Sequence, residues 1–138
     1  MNADSNQRLE ISLLLLRLGV FIVMLMWTLD KFVNPDHAGA VFAGFYGLDG
    51  LGATLMAAIG AGELVLVLVF VAGAFRRLTY GLVMLLHGVS TLSSWQQYLQ
   101  PFDNLLFFAA WPMLAACIAL YLLRDQDRLL SVDAARAN

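Results

Sequence analysis

Residues 11–29 read ISLLLLRLGVFIVMLMWTL, an apolar run broken by one charge, Arg17. A helix rises 1.5 Å per residue, so a run of roughly 20 apolar residues crosses the hydrocarbon of a bilayer. Three further stretches meet the same requirement: 51–73, interrupted only by Glu63; 78–95, containing His87; and 105–123, containing Pro112. Backbone groups in lipid must be satisfied within their own segment, and no long apolar–polar alternation indicates a barrel, so all four stretches are expected to be helices. The first is expected to be retained: only Arg8 precedes it as a basic residue, and the sequence after Met26 lacks a small-residue cleavage pattern.

The composition supports this reading. Of 138 residues, 61% are hydrophobic and 13% charged, against about 45–50% and about 25% in soluble domains. One small core cannot hide that much apolar surface. A single cysteine, Cys117, rules out an internal disulfide framework or thiol relay. A net charge of −2, with Lys31 the only lysine, argues against nucleic-acid binding, which requires a basic surface to neutralise phosphates.

The predicted fold class is all-α, an antiparallel four-helix transmembrane bundle with a short amphipathic interfacial helix in the first outer loop. In that loop Asn34-Pro35-Asp36 reads as N-cap and first turn, and Val41, Phe42, Phe45 and Leu48 follow at helical spacing. Arg76-Arg77 makes a tight turn that should set the second and third helices antiparallel. Pro112 is expected to kink the fourth helix. Arg8, Arg76, Arg77, Arg124, Arg128 and Arg136 fall on one side and Lys31 alone on the other, so both termini are expected to be cytoplasmic, in a plasma (inner) membrane. The organisation read from this is a cytoplasmic tail at 1–10, a membrane domain at 11–123 and a cytoplasmic tail at 124–138, with 1–7 and 126–138 frayed.

Ionisable residues at membrane depth cost about 2.5–3.5 kcal/mol on insertion scales, so they are expected to be paired or functional. From the cytoplasmic side Arg17 lies roughly 9 Å deep, His87 roughly 14 Å and Glu63 roughly 15 Å. Helical spacing aligns Arg17, Met24, Thr28 and Lys31 on the first helix, and Met56, Gly60, Glu63, Val67 and Phe70 on the second. It aligns Tyr80, Met84, His87, Thr91 and Ser94 on the third, and Asn104, Trp111 and Ala115 on the fourth. These seams are expected to face inward. Arg17, Glu63 and His87 would then meet in a ligand or proton-exchange pocket lined by Tyr80 and Trp111, because a histidine beside a carboxylate can exchange protons near neutral pH. Asp30 and Lys31 would form an outer polar pair near the mouth. The alternative is structural: Arg17 and Glu63 lock two helices in register, His87 is a neutral hydrogen-bonding residue, and Asp30–Lys31 is a surface pair. Met84 and His87 resemble a Cu(I) ligand pair, but methionines in so apolar a chain are ordinary packing. No metal site, haem ligand set, nucleotide-binding loop or nucleophile elbow is read from the sequence.

Leu15-Leu16-Arg17-Leu18-Gly19, Asp30-Lys31-Phe32, Gly62-Glu63-Leu64 and Gly73 before the basic turn resemble the DoxX family of small four-helix membrane proteins over roughly 11–123. His87 and the third helix carry no part of that resemblance. It implies two classes of function. Some relatives are similar to subunits of thiosulfate:quinone oxidoreductase or are linked to membrane oxidoreductase assemblies that handle thiol stress. Others look like cargo receptors or assembly chaperones. The expected function is therefore an accessory subunit in membrane redox chemistry with a quinone or lipid-headgroup pocket, its electrons supplied by a membrane or soluble oxidoreductase partner. The alternative is a non-catalytic scaffold, assembly helper or cargo-binding protein. Membrane lipid is an expected partner in both, and the run Ala57, Ala58, Gly60, Ala61, Gly62 would permit a homo-oligomer.

Overall fold

The computed structural model of the protein describes residues 3–137. Among them every regular element is helical: α1 (Ala3–Val33), α2 (Pro35–Tyr46), α3 (Ala53–Val71), α4 (Arg76–Ser93), α5 (Trp95–Tyr98), a 3-10 turn (Leu105–Ala109), α6 (Ala110–Leu122) and α7 (Val132–Arg136). Three segments are long and apolar enough to cross a membrane, Asp4–Val33, Ala53–Val71 and Leu105–Leu122. The segment α4 is of similar length but carries Thr79, Tyr80, His87, Ser90, Thr91 and Ser93, which lower its apolarity.

Helix α1 packs along α3, α3 on α4, α4 on α6, and α6 back on α1. The apolar core at their centre joins Leu13, Val20 and Met24 of α1, Val67 and Phe70 of α3, Tyr80 and Val83 of α4, and Cys117 and Leu120 of α6. The seams expected on the first two helices are the buried ones, Arg17, Met24, Thr28 and Lys31 on α1 and Met56, Gly60, Val67 and Phe70 on α3, except that Glu63 on the α3 seam is partly exposed. Large apolar side chains point outward on all four long helices, including Leu15 on α1, Val65 on α3, Leu85 on α4 and Leu122 on α6, an arrangement that suits lipid rather than water. Gly60 permits a close approach of α1 and α3, since a Cβ there would meet the Phe32 ring at 2.9 Å.

The first loop folds as its sequence predicts, with Pro35 in the first turn of α2. Gly47 ends that helix in the left-handed conformation, φ 67°. The link at 72–75 reverses the chain through two left-handed residues, Gly73 (φ 62°) and Phe75 (φ 49°).

Four expectations are corrected. The N-terminal residues 3–7 belong to α1 rather than to a frayed tail; Met1 and Asn2 lie outside the described residues. The C-terminal segment is also folded: Asp127, Ser131 and Ala134 are buried, and the amides of Val132 and Asp133 donate to the carbonyls of Ala72 (2.9 Å) and Gly73 (3.1 Å). Pro112 does not kink a long helix. The chain enters as a 3-10 turn and becomes α-helical only at Ala110, which puts the proline in the first turn, where a missing N–H costs least. Finally, α6 buries Cys117 and Leu120 and leaves Trp111 exposed, so Asn104, Trp111 and Ala115 do not form its inward seam.

Candidate functional site

Every Cα–Cβ bond of an α-helix tilts toward the helix N-terminus, and long side chains follow it. On α1 this separates the two buried cations. Lys31 leans back into the bundle toward Glu63. Arg17, about 21 Å before it along the axis, leans away from Glu63 toward the end where the C-terminal segment docks.

At that end Arg17 is fully buried and its Nη1 lies 3.3 Å from Asp127 Oδ2, a carboxylate that is also fully buried. Its Nη1 donates to Tyr80 Oη (3.2 Å), whose hydroxyl donates in turn to Asp127 Oδ2 (2.7 Å). Its Nη2 donates to the carbonyls of Leu129 (2.6 Å) and Leu130 (3.2 Å). Leu130 adopts a left-handed φ of 48°, a conformation that costs a non-glycine residue roughly 1–2 kcal/mol. A second layer surrounds this clasp. Arg76 Nη1 donates to the carbonyls of Arg124 and Asp127, both at 2.6 Å. The Asp133 carboxylate accepts from the backbone N–H groups of Phe75 (3.0 Å) and Arg76 (2.9 Å). Partial burial disfavours the Asp133 anion, yet those two amides, with the Arg76 and Arg136 guanidiniums, outweigh it and hold the carboxyl below its ordinary 3.8. Ser131 Oγ donates to the Gly73 carbonyl (3.0 Å) and caps α7 by accepting from Ala134 N.

At the α2 end, Lys31 Nζ lies 2.8 Å from Glu63 Oε2 and donates to the Trp27 carbonyl (3.1 Å). Thr28 Oγ1 shares its single proton between the Met24 carbonyl (2.7 Å) and, more weakly, the same Glu63 oxygen (3.3 Å). Lys31 also sits 5.7 Å from the centre of the Phe42 ring, a cation–π contact that ties α2 to α1. Asp30 turns outward to His37, with Oδ2 2.6 Å from Nδ1.

A groove of about 990 Å³ runs along α1 from Leu15 to Lys31, between α1 and the α4–α6 pair, with α2 over its far end. Its walls are leucine, valine, methionine and phenylalanine side chains, and its polar groups gather toward α2: Asp30, Lys31, Glu63, His87, Ser90 and Ser94. His87 Nε2 lies 3.0 Å from the Ala110 carbonyl. A carbonyl only accepts, so Nε2 carries the proton and Nδ1 of the neutral ring is an acceptor.

The expected site residues therefore divide between two places. Glu63, His87, Asp30 and Lys31 line the groove. Arg17 and Tyr80 belong to the clasp at the other end. Trp111 belongs to neither; its ring packs on Tyr98 with centroids 5.5 Å apart. Asp30 and Lys31 pair with His37 and Glu63 rather than with each other. Sequence reasoning missed Asp127, Ser131 and Asp133, which were assigned to a frayed tail, and missed that Lys31 is the partner of Glu63. One signal was present: Asp125, Asp127 and Asp133 are the carboxylates that follow the last span, on the side toward which Arg17 leans.

The arrangement defines a helical protein with three segments apolar enough to span a membrane, a sealed ionic clasp at one end and an amphipathic groove toward the other. Compared with known proteins, the chain matches no family model, no curated protein and no solved structure.

Proposed function

We propose that the chain is a DoxX-type integral membrane protein whose groove holds the head of a membrane amphiphile, a quinone or a phospholipid, and that it acts as an accessory subunit in membrane redox chemistry. In this reading α4 is a fourth crossing, its polar face turned inward and shielded by α3 and α6, so the antiparallel four-helix transmembrane bundle is complete. Both termini lie in the cytoplasm, the clasp sits at the cytoplasmic end, and the polar end of the groove sits under α2 at the outer face. Lipid ligand sites are concave and mostly apolar, with a few convergent polar groups that fix orientation. The groove has that composition, and it is the observation that carries the proposal. The chain supplies binding and proton-exchanging groups, Glu63 and His87, while electrons come from an oxidoreductase partner.

The second reading is a scaffold or assembly helper, favoured by the Arg17–Tyr80–Asp127 clasp, whose charged groups are closed to solvent and available only for holding the fold together. Purification from native membranes in a mild detergent, followed by mass spectrometry of co-purifying proteins and lipids, separates the two. A stoichiometric oxidoreductase, or quinone retained by the native protein and lost in Glu63→Gln, is the expected result. A homo-oligomer carrying only phospholipid would overturn the redox reading and leave the scaffold.

A further inference from the structure

The polar end of the groove carries formal charges of one sign in excess: the Asp30 and Glu63 carboxylates against the Lys31 ammonium, all three lining it. Lys31 is largely committed, with Glu63 Oε2 at 2.8 Å and the Trp27 carbonyl at 3.1 Å. The acceptors are less so. Glu63 Oε1 makes no hydrogen bond among the described residues, and His87 Nδ1 is an acceptor in the neutral ring because Nε2 faces the Ala110 carbonyl; Asp30 adds its charge from the rim, its two oxygens engaged by His37 and Asn34. Ser90 adds one hydroxyl. An anionic headgroup brought here would meet a surplus of negative charge, and like-charge juxtaposition costs several kcal/mol. A head that only accepts hydrogen bonds would offer no donor to Glu63 Oε1 or His87 Nδ1.

We infer that the groove selects a neutral amphiphile whose head donates hydrogen bonds through hydroxyl groups, with a hydroquinone as the fitting chemistry, and rejects anionic phospholipid. The inference rests on the groove being an amphiphile site, as proposed above, and adds which head it takes. The two phenolic O–H groups of a hydroquinone match the two open acceptors, Glu63 Oε1 and His87 Nδ1, while bringing no charge to the carboxylates, and the tail lies along the apolar wall of α1. No bond is made or broken on binding.

Trp27 lines the groove, whereas Trp95 and Trp111 do not; because Trp27 is also half exposed, occupancy is read as the part of its quenching that Trp27→Phe removes and a competitor reverses. The full-length protein in a neutral detergent is loaded with phosphatidylcholine carrying brominated chains, which quench an indole on contact. Competition is then measured with a short-chain benzohydroquinone kept reduced, its benzoquinone, phosphatidylglycerol and phosphatidylethanolamine. The hydroquinone is expected to restore Trp27 emission at a concentration about tenfold or more below that of phosphatidylglycerol, and below that of the quinone. Asp30→Asn is expected to narrow the gap to phosphatidylglycerol about tenfold; its carboxylate bonds only to His37 and Asn34 at the protein surface, so the fold should survive. Glu63→Gln should act in the same direction. Phosphatidylglycerol or the quinone competing as well as the hydroquinone would overturn this inference and leave the groove an amphiphile site. Phosphatidylethanolamine competing best would overturn the hydroxyl assignment in favour of an ammonium donor. If brominated chains never reach Trp27, the groove is not an amphiphile site and both readings fall.

Discussion

Asp127→Ala should be the most damaging single change outside the apolar core. It removes the carboxylate paired with Arg17 and leaves a guanidinium of 0% exposure without its counter-charge. Truncating one partner of a buried ion pair costs about 3–5 kcal/mol, because the remaining charge stays out of water. The carbonyls of Leu129 and Leu130 would soften that loss if they stayed, at 2.6 and 3.2 Å from Nη2. They belong to the same segment as Asp127, however, and Leu130 is held at a left-handed φ, so the segment is expected to let go, which admits water to Arg17 and puts the cost in the lower half of the range. Tyr80→Phe removes only the bridging hydroxyl, which bonds both charged groups, and should cost about 1.5–3 kcal/mol. Arg17→Met combined with Asp127→Leu removes both charges and should return most of the stability. Denaturant or SDS titration of the detergent-solubilised protein, followed by circular dichroism, measures these differences. Trypsin cleavage after Arg128, read by mass spectrometry, reports release of the segment. An Asp127→Ala protein within ~0.5 kcal/mol of the parent, with Arg128 cut no faster, would refute the clasp.

Gly73→Ala should release the same segment from the other side. Gly73 has φ 62°, and an added Cβ would run into Arg17 Nη1 and come within 2.8 Å of Ser131 Oγ; a loss of about 2 kcal/mol is expected, with faster amide exchange at Val132 and Asp133. Asp133 sets a pH dependence. Its folded-state pKa lies below 3.8, so its contribution is complete above the unfolded-state value and is lost as pH falls through the folded-state value. The protection of the α7 amides, corrected for the intrinsic exchange rate, should therefore fall below about pH 4, and Asp133→Asn should flatten that response by lowering protection at neutral pH. Lys31→Met strands Glu63, which keeps 20% exposure, so the cost should be nearer 2 kcal/mol than the ~3–5 of a fully buried pair. Adding Glu63→Met should restore the unfolding midpoint; a double variant weaker than the single one would contradict the pairing.

Much of the fold is legible in the sequence because apolar length and 3.6-residue spacing are strong signals. The buried positions of α1 follow each other by three and four residues from Leu13 to Lys31, and Asn34-Pro35 starts α2. The partners of the charges are less legible. Depth along a helix places a Cα, whereas a long side chain reaches ~5–6 Å along the axis toward the N-terminus. That reach turns Arg17 away from Glu63 and brings Lys31 to it. The C-terminal segment defeats compositional reading for a different reason. It is polar and short and buries little apolar surface of its own; its order comes from Arg17, Gly73 and Arg76, all distant in sequence. On α6, Trp111 stands at a helical spacing from Asn104, but the intervening 3-10 turn advances about 120° per residue rather than 100° and throws the two off one face.

The two ionic clusters explain why a groove can persist in so small a protein. Helix α1 is pinned through Arg17 to α4 and the C-terminal segment at one end, and through Lys31 and Thr28 to α3 at the other. Between them, on the side facing α4 and α6, α1 presents Leu16, Gly19, Val20 and Val23 to the groove and makes no polar cross-link there. An apolar cleft with no fastening would collapse or fill with neighbouring side chains, since cores pack to high density. The Arg17 clasp fastens α1 to α4 at one end and the Lys31–Glu63 pair fixes it on α3 at the other, which holds α1 in place beside α4 and α6 while leaving the middle to an apolar tail. Loosening the clasp with Tyr80→Phe should therefore weaken brominated-lipid quenching of Trp27, although Tyr80 does not line the groove. Weaker quenching with an unchanged fold would tie the two ends together through α1; unchanged quenching would make the clasp a local lock with no bearing on the groove.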